Sequence, residues 1–450
     1  MRDMPRARRN SNTPNMINAI TYLLRTNTIL VSIRQFRYAP FLAVAMILMF
    51  VRSLVMARLL DLPAFATYSA GLLVSSSFGA LGCLGVQLLL QRELPVMIVH
   101  RRESAGCLLV MQCVLTATGC FVIGAVVIMV GGIHLAGLPP AMLLLALIHG
   151  LAMQLFLVAS VESRSRGQTM RYARQNLGRA VIILFAGAAV AGWVGGAAHV
   201  LFVEAVSSLV ISGLIYRRQL HAISMHLNVT VTLAWRRLFQ VKWSSALIIL
   251  FVSLIGFLLM NADRWIAAEC LSTHSFAQYS FAWTTLTISQ SIQLIINSAL
   301  FPSLARQFAI NGPVSAFNTS IKTSLGILAG GVLFALPVWL VLDQSVGKWF
   351  PAYQEARALL PIFIALSIIR LSDFWSSYLL VVGRETLLLK VNLSGLSVAV
   401  AAWCLWKKIG TNSLLINQIA FFALSLAVGL YAFSGWAAWH FSRKFMKESI

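Results

Sequence analysis

Arg52 stands alone in an apolar run, Met49-Phe50-Val51-Arg52-Ser53-Leu54, with no acidic residue three or four positions away to neutralise it. A guanidinium placed there has two uses: its fork can make paired, charge-assisted hydrogen bonds to a phosphate, or its stem can snorkel to a headgroup layer. Asp263 and Arg264 are neighbours at the end of another apolar run, and read as a structural pair or a substrate contact. Arg370 and Asp373 are three apart, close enough on one helical face to neutralise each other, or to serve gating or ion coupling. Glu204 is the most isolated acid in an apolar stretch; proton coupling is one use for it, a bond to Arg179 on another helix a second. Gln290, Gln293 and Asn297 recur at i, i+3 and i+7, which puts three amides on one face, suited to lining water or bonding a neighbouring helix. No catalytic residue is assigned. Cys83, Cys107, Cys113, Cys120, Cys270 and Cys404 form no CxxC pair and have no companion histidine, so they read as small packing residues, and neither metal nor cofactor is expected.

The elements that must position these residues follow from composition. Of 450 residues 59% are hydrophobic and only 11% charged, with a mean hydropathy of +0.82. Soluble domains carry about 25% charged residues, so a soluble enzyme is excluded and a lipid bilayer is the expected solvent. Windows of about 20 apolar residues, the length of a membrane-crossing helix, recur twelve times. They lie near 38–57, 67–90, 105–130, 138–160, 177–195, 198–216, 243–262, 277–300, 322–342, 358–381, 391–406 and 415–440. The fold class expected is all-α: a polytopic membrane protein of two six-helix lobes around a central cavity. Residues 1–37 form a basic cytoplasmic tail, with a short surface-lying helix around Met16 to Leu24. Residues 38–216 form the first lobe, 217–242 a basic cytoplasmic linker, 243–440 the second lobe and 441–450 a cytoplasmic C-terminal tail.

A net charge of +22, from 35 Lys and Arg against 13 Asp and Glu, would suggest nucleic acid in a soluble chain. Sorted by position, 27 of the cations fall on the tails, the loops after even-numbered spans and the span ends beside those loops (Arg179, Lys322), six on the opposite loops, and two, Arg52 and Arg370, deeper inside spans. That bias orients the chain with both termini in the cytoplasm and removes nucleic acid as a partner. The connections 131–137 and 192–197 carry no Lys, Arg, Asp or Glu, and no loop is long enough to build a soluble domain. Any transport must happen between the helices.

The linker lies near the midpoint of the chain, where an internal repeat would divide it. Phe65-Ala66-Thr67-Tyr68-Ser69 opens the second span and Phe276-Ala277-Gln278-Tyr279-Ser280 the eighth, 211 residues on. Arg166-Gly167-Gln168-Thr169 with Asn176-Leu177 resembles Gly383-Arg384-Glu385-Thr386 with Asn392-Leu393, about 216 on. Six spans per half is an even number, so the halves share one orientation.

The stretch from Ala57 to Ser69 resembles the ARxLxPxxFGxYS connection of polysaccharide flippases, the Wzx-type branch of the multidrug/oligosaccharidyl-lipid/polysaccharide exporter superfamily. Asn261-Ala262-Asp263-Arg264-Trp265-Ile266 with 276–280, and Phe301-Pro302-Ser303-Leu304-Ala305-Arg306, are similar to that family's second-lobe motifs; Ala66 and Ala277 stand where it often has Gly. The specific motifs cover about a tenth of the chain. The resemblance implies a flippase of the bacterial inner membrane that moves undecaprenyl-diphosphate-linked oligosaccharide by alternating access, for O-antigen, capsule or exopolysaccharide synthesis. Other polysaccharide-assembly membrane proteins would be its partners. Arg52, Arg264, Gln290, Gln293 and Asn297 would then meet the substrate in a cationic cavity, with Glu204, Arg370 and Asp373 in coupling or gating. The alternatives are a cation-coupled multidrug exporter of the same superfamily, for which cavity acids matter most, and a membrane polysaccharide polymerase or polyprenyl glycosyltransferase, which the short external loops disfavour.

Overall fold

The structure, a computed structural model, describes residues 38–222, 226–409 and 415–448. The basic tail 1–37, with its surface helix, lies outside the described residues. The first half contains α1 (Ala39–Leu59), α2 (Leu62–Leu81), α3 (Val86–Val99), α4 (Glu103–Gly131), α5 (Pro140–Ser165), α6 (Thr169–Trp193) and α7 (Ala197–Ala222). After α8 (Leu227–Arg236) and a short 3-10 turn come α9 (Trp243–Cys270), α10 (Thr273–Trp349), a second 3-10 segment (Pro351–Leu359), α11 (Leu360–Leu371), α12 (Trp375–Val381), α13 (Glu385–Ile409) and α14 (Leu415–Glu448). Among the described residues there is no strand.

Eleven stretches among the described residues are long and apolar enough to cross a membrane, against the twelve expected. The difference lies in α10, which joins the eighth and ninth expected spans and breaks only at Gly312 (φ 78°, ψ −179°). Its first part is helical, and several of its side chains between 291 and 309 lie outside the described residues, so the eighth expected span is not among the eleven. The second expected span is also shorter than its apolar run. α2 stops at Leu81, and a turn with Leu84 (φ 46°) and Gly85 (φ 79°) leads into α3. A Cβ on Gly85 would collide with the Ala246 carbonyl oxygen, so this close approach of α9 admits only glycine. The tenth expected span divides into α11 and α12 at 372–374.

The sequence repeat is also a repeat of backbone chemistry. Asp61 caps α2 by accepting from Ala64 N at 2.9 Å, and Ser272, 211 residues later, caps α10 by accepting from Ser275 N at 3.2 Å. The turns after α5 and α12 match bond for bond at an offset of 216. Gly167 N donates to Arg164 O and Gln168 N to Ser163 O, as Gly383 N does to Leu380 O and Arg384 N to Leu379 O. Both glycines have φ above +70°, the left-handed residue that ends a helix in this way.

The end of the bundle at which α1 begins is called here the near end, the other the far end. At the far end one apolar cluster joins both halves, with the Tyr353 ring stacked on Phe281 at 4.4 Å and meeting Phe65 edge-on at 5.5 Å. At the near end the turn at Gly85 rests on the first turn of α9, and Lys242 Nζ bonds Glu93 at 2.8 Å.

Candidate functional site

Glu204 on α7 is wholly buried and is held from three other helices. Arg52 of α1 approaches Oε2 at 3.2 Å, His149 of α5 places Nε2 3.3 Å from the same oxygen, and the Tyr68 hydroxyl of α2 donates to Oε1 at 3.0 Å. His149 Nδ1 in turn faces Ser75 Oγ at 2.7 Å. Gly187 of α6 completes the enclosure: a Cβ there would stand 3.3 Å from Glu204 Oε1. Each of the four polar residues lies six to nine positions from the far end of its helix, about 9–14 Å into the span. A lone carboxylate at that depth would cost several kcal/mol, and the guanidinium, the Tyr68 hydroxyl and the adjacent His149 ring offset it.

Glu204 therefore pairs with Arg52, not with Arg179. Arg179 donates from Nε to Ser208 Oγ at 3.2 Å and lies 4.7 Å over the Phe156 ring. The run around Arg52 is locally free of acids, but its partner comes from a helix 152 positions away.

The second half holds a counterpart at the same depth with its charges exchanged. Asp263 of α9, 211 after Arg52, accepts from the Tyr279 hydroxyl at 2.8 Å, and Tyr279 is 211 after Tyr68. Arg370 of α11 faces the Asp263 carboxylate at 3.7 Å and donates to Met260 O at 3.1 Å. Here too an expected neighbour pairing fails, because Arg370 does not reach Asp373. The chain leaves the helix after Leu371, so the i, i+3 geometry is lost, and Asp373 accepts instead from Ser376 Oγ at 3.0 Å at the head of α12. Asp263 and Arg264 are likewise separate in use and lie inside α9 rather than at its end. Arg264 donates to Ser69 O of α2 at 3.3 Å and lies 4.0 Å over the Trp283 ring, which ties the second half to the first.

Gln293 donates to Arg370 O at 2.8 Å and, with Arg370, Asp373, Ser376, Asn392 and Tyr431, lines a cavity of about 250 Å³ inside the second half. Gln290 is half-buried one turn away. Asn297 continues the helix, and its side chain lies outside the described residues. Among the described residues no group of three His, Cys, Asp or Glu could hold a metal ion. Sequence reasoning assigns no role to His149, Tyr68 or Tyr279, and reads Ser75 only as a small residue for close helix packing. Both tyrosines stand in the repeated five-residue motif, and His149 is the only titratable residue within the fourth apolar run, which are the signals that point to them.

No protein-family model matches the chain, and no curated protein is similar to it in sequence. Solved structures share its fold. The Vibrio cholerae MATE transporter VcmN is similar over 94% of this chain and 99% of its own, with a TM-score of 0.59 and 14% identity. The eukaryotic MATE transporter AtDTX14 is similar over 93% and 99%, with a TM-score of 0.53 and 11% identity. A multidrug resistance MATE family transporter of the MOP superfamily, in an inward-facing conformation, is similar over 92% and 96%, at 0.51 and 13%. The chain is thus an all-α, multi-pass membrane protein with the MATE transporter fold.

Proposed function

We propose that the protein is a secondary transporter that exports its cargo by alternating access of two lobes, coupled to a cation through Glu204. The observation that carries this reading is the closed set of Glu204, Arg52, His149 and Tyr68. With His149 neutral the set has no net charge. Adding a proton while it is closed would leave an uncompensated positive charge at low dielectric, so the proton can load only when the helices part and water enters. That requirement links protonation to conformation. The likeness to a multidrug resistance MATE transporter supports an organic cation as cargo. Arg370, Asp373 and Gln293, around the cavity in the second half, take part in gating, and Arg264 with its contact on Ser69 is a strut between the lobes.

A second cargo, lipid-linked oligosaccharide, is favoured by the motifs at 57–69 and 261–280 and by the charge inside the spans. Arg52, Arg179, Arg264 and Arg370 are all buried, and Arg179 and Arg264 form no ion pair among the described residues, which suits the interior to a diphosphate.

The test uses the full chain in proteoliposomes with an imposed proton gradient. A fluorescent organic cation should move with the gradient in the wild type and stop in Glu204→Gln, with the protein still inserted. Gradient-insensitive movement would overturn the coupling role. No dye movement together with translocation of undecaprenyl-diphosphate oligosaccharide would assign the cargo to the second class, and movement of neither would refute transport.

A further inference from the structure

α8 carries the chain from one half to the other, and its packing fixes its depth. Ala234 is buried against Cys107, Met111 and Leu220, and Gln112 Nε2 donates to Arg237 O at 2.7 Å. Residues 107–112 lie four to nine positions from the near end of α4, about 6–14 Å along it. With 29 residues α4 is about 44 Å long, more than the ~30 Å of hydrocarbon, so a helix seated on its first turns lies where α4 leaves the hydrocarbon, at the boundary of acyl chains and headgroups. The rest of α8 and the turn after it present apolar side chains with little protein over them: Val229, Leu233, Trp235 and Phe239, the last 90% exposed. Beside them Arg236 and Arg237 are exposed and, among the described residues, form no ion pair, whereas Lys242 a few positions on is closed by Glu93. Arg217 and Arg218, at the end of α7, are exposed at the same end.

We infer that this linker, with Trp235 and Phe239 in the acyl layer and Arg236 and Arg237 at the headgroups, is a binding site for anionic phospholipid of the near-end leaflet. Charge complementarity selects the occupant: two free guanidiniums beside an apolar face match a phosphate that carries a net negative charge, and a zwitterionic headgroup brings its own cation. Because the linker joins the lobes, lipid held there also anchors the connection between them.

Native mass spectrometry of the full-length protein, purified in detergent and given equimolar phosphatidylglycerol and phosphatidylcholine, tests the inference. The wild type should hold phosphatidylglycerol in preference, and added salt should erode that preference. Arg236→Gln with Arg237→Gln should lower it about thirty-fold, which is about 2 kcal/mol at 1.4 kcal/mol per factor of ten. Arg236→Lys with Arg237→Lys should keep most of it. Trp235→Ser with Phe239→Ser should loosen both lipids and leave their ratio. If the double Gln variant does not fold, Arg236→Gln alone should give about a five-fold loss, the share of one basic residue. Equal holding of the two lipids by the wild type, a salt-independent preference, or an unchanged ratio in the Gln variants would each overturn the assignment.

Discussion

Replacing Arg52 by Met leaves Glu204 without its ion-pair partner; replacing Glu204 by Gln leaves the guanidinium bare in the same place. The two groups are 3.2 Å apart and 8% and 0% exposed. At that separation the Coulomb attraction is about 5 kcal/mol with an effective dielectric constant near 20. Breaking a buried pair from one side costs about 3–5 kcal/mol, since the partner stays buried and charged. Removing both charges avoids that cost, and in the double variant the Tyr68 hydroxyl can still donate to the side-chain amide oxygen at position 204. Each single variant should therefore lose about 3–5 kcal/mol, and Arg52→Met with Glu204→Gln should recover about half of the summed loss or more. Reversible unfolding in mixed micelles, run as a double-mutant cycle, measures this. Additive losses would show that the two side chains do not interact, and the account of the cluster would fail.

Gly85→Ala should lower stability by about 2 kcal/mol or more, through the contact with the Ala246 carbonyl and a φ of 79°, read in the same unfolding assay. Tyr279→Phe removes the hydroxyl bonded to Asp263 and should cost about 1–3 kcal/mol, while Tyr353→Phe, whose hydroxyl has no hydrogen-bond partner among the described residues, should cost far less.

Much of the fold could be read from the sequence because the solvent is a bilayer. Every span must satisfy its own backbone, so a long apolar run has one outcome, and the helices appear where hydropathy puts them. What hydropathy cannot register is where a helix stops inside an apolar run. The break at 82–85 depends on left-handed backbone beside α9, and that at 372–374 on Ser320 and Ser324 of α10, which bond the carbonyls of Phe374 and Ser372; both runs read as unbroken. Candidate residues were legible for the same reason as the spans: Arg52, Glu204 and Arg370 stand out because a charge in an apolar run is rare. Their partners were not. The expected pairings, Glu204 with Arg179 and Arg370 with Asp373, used helix spacing or proximity in the chain, and the actual pairs join helices distant in sequence. The repeat offset of 211, applied to Arg52, leads to Asp263, and applied to Tyr68 leads to Tyr279, so the second cluster could have been found by carrying the first across.

The exchanged charges at Arg52 and Asp263 bear on how such a chain assembles. Two halves that repeat one pattern could dock the wrong first helix into the wrong half during insertion. If α1 took the place of α9, Arg52 would meet Arg370, two buried cations with no acid between them. If α9 took the place of α1, Asp263 would meet Glu204. Both errors set like charges together away from water, where repulsion is strong. Each half therefore rejects the other's opening helix, and the chain keeps one order of assembly.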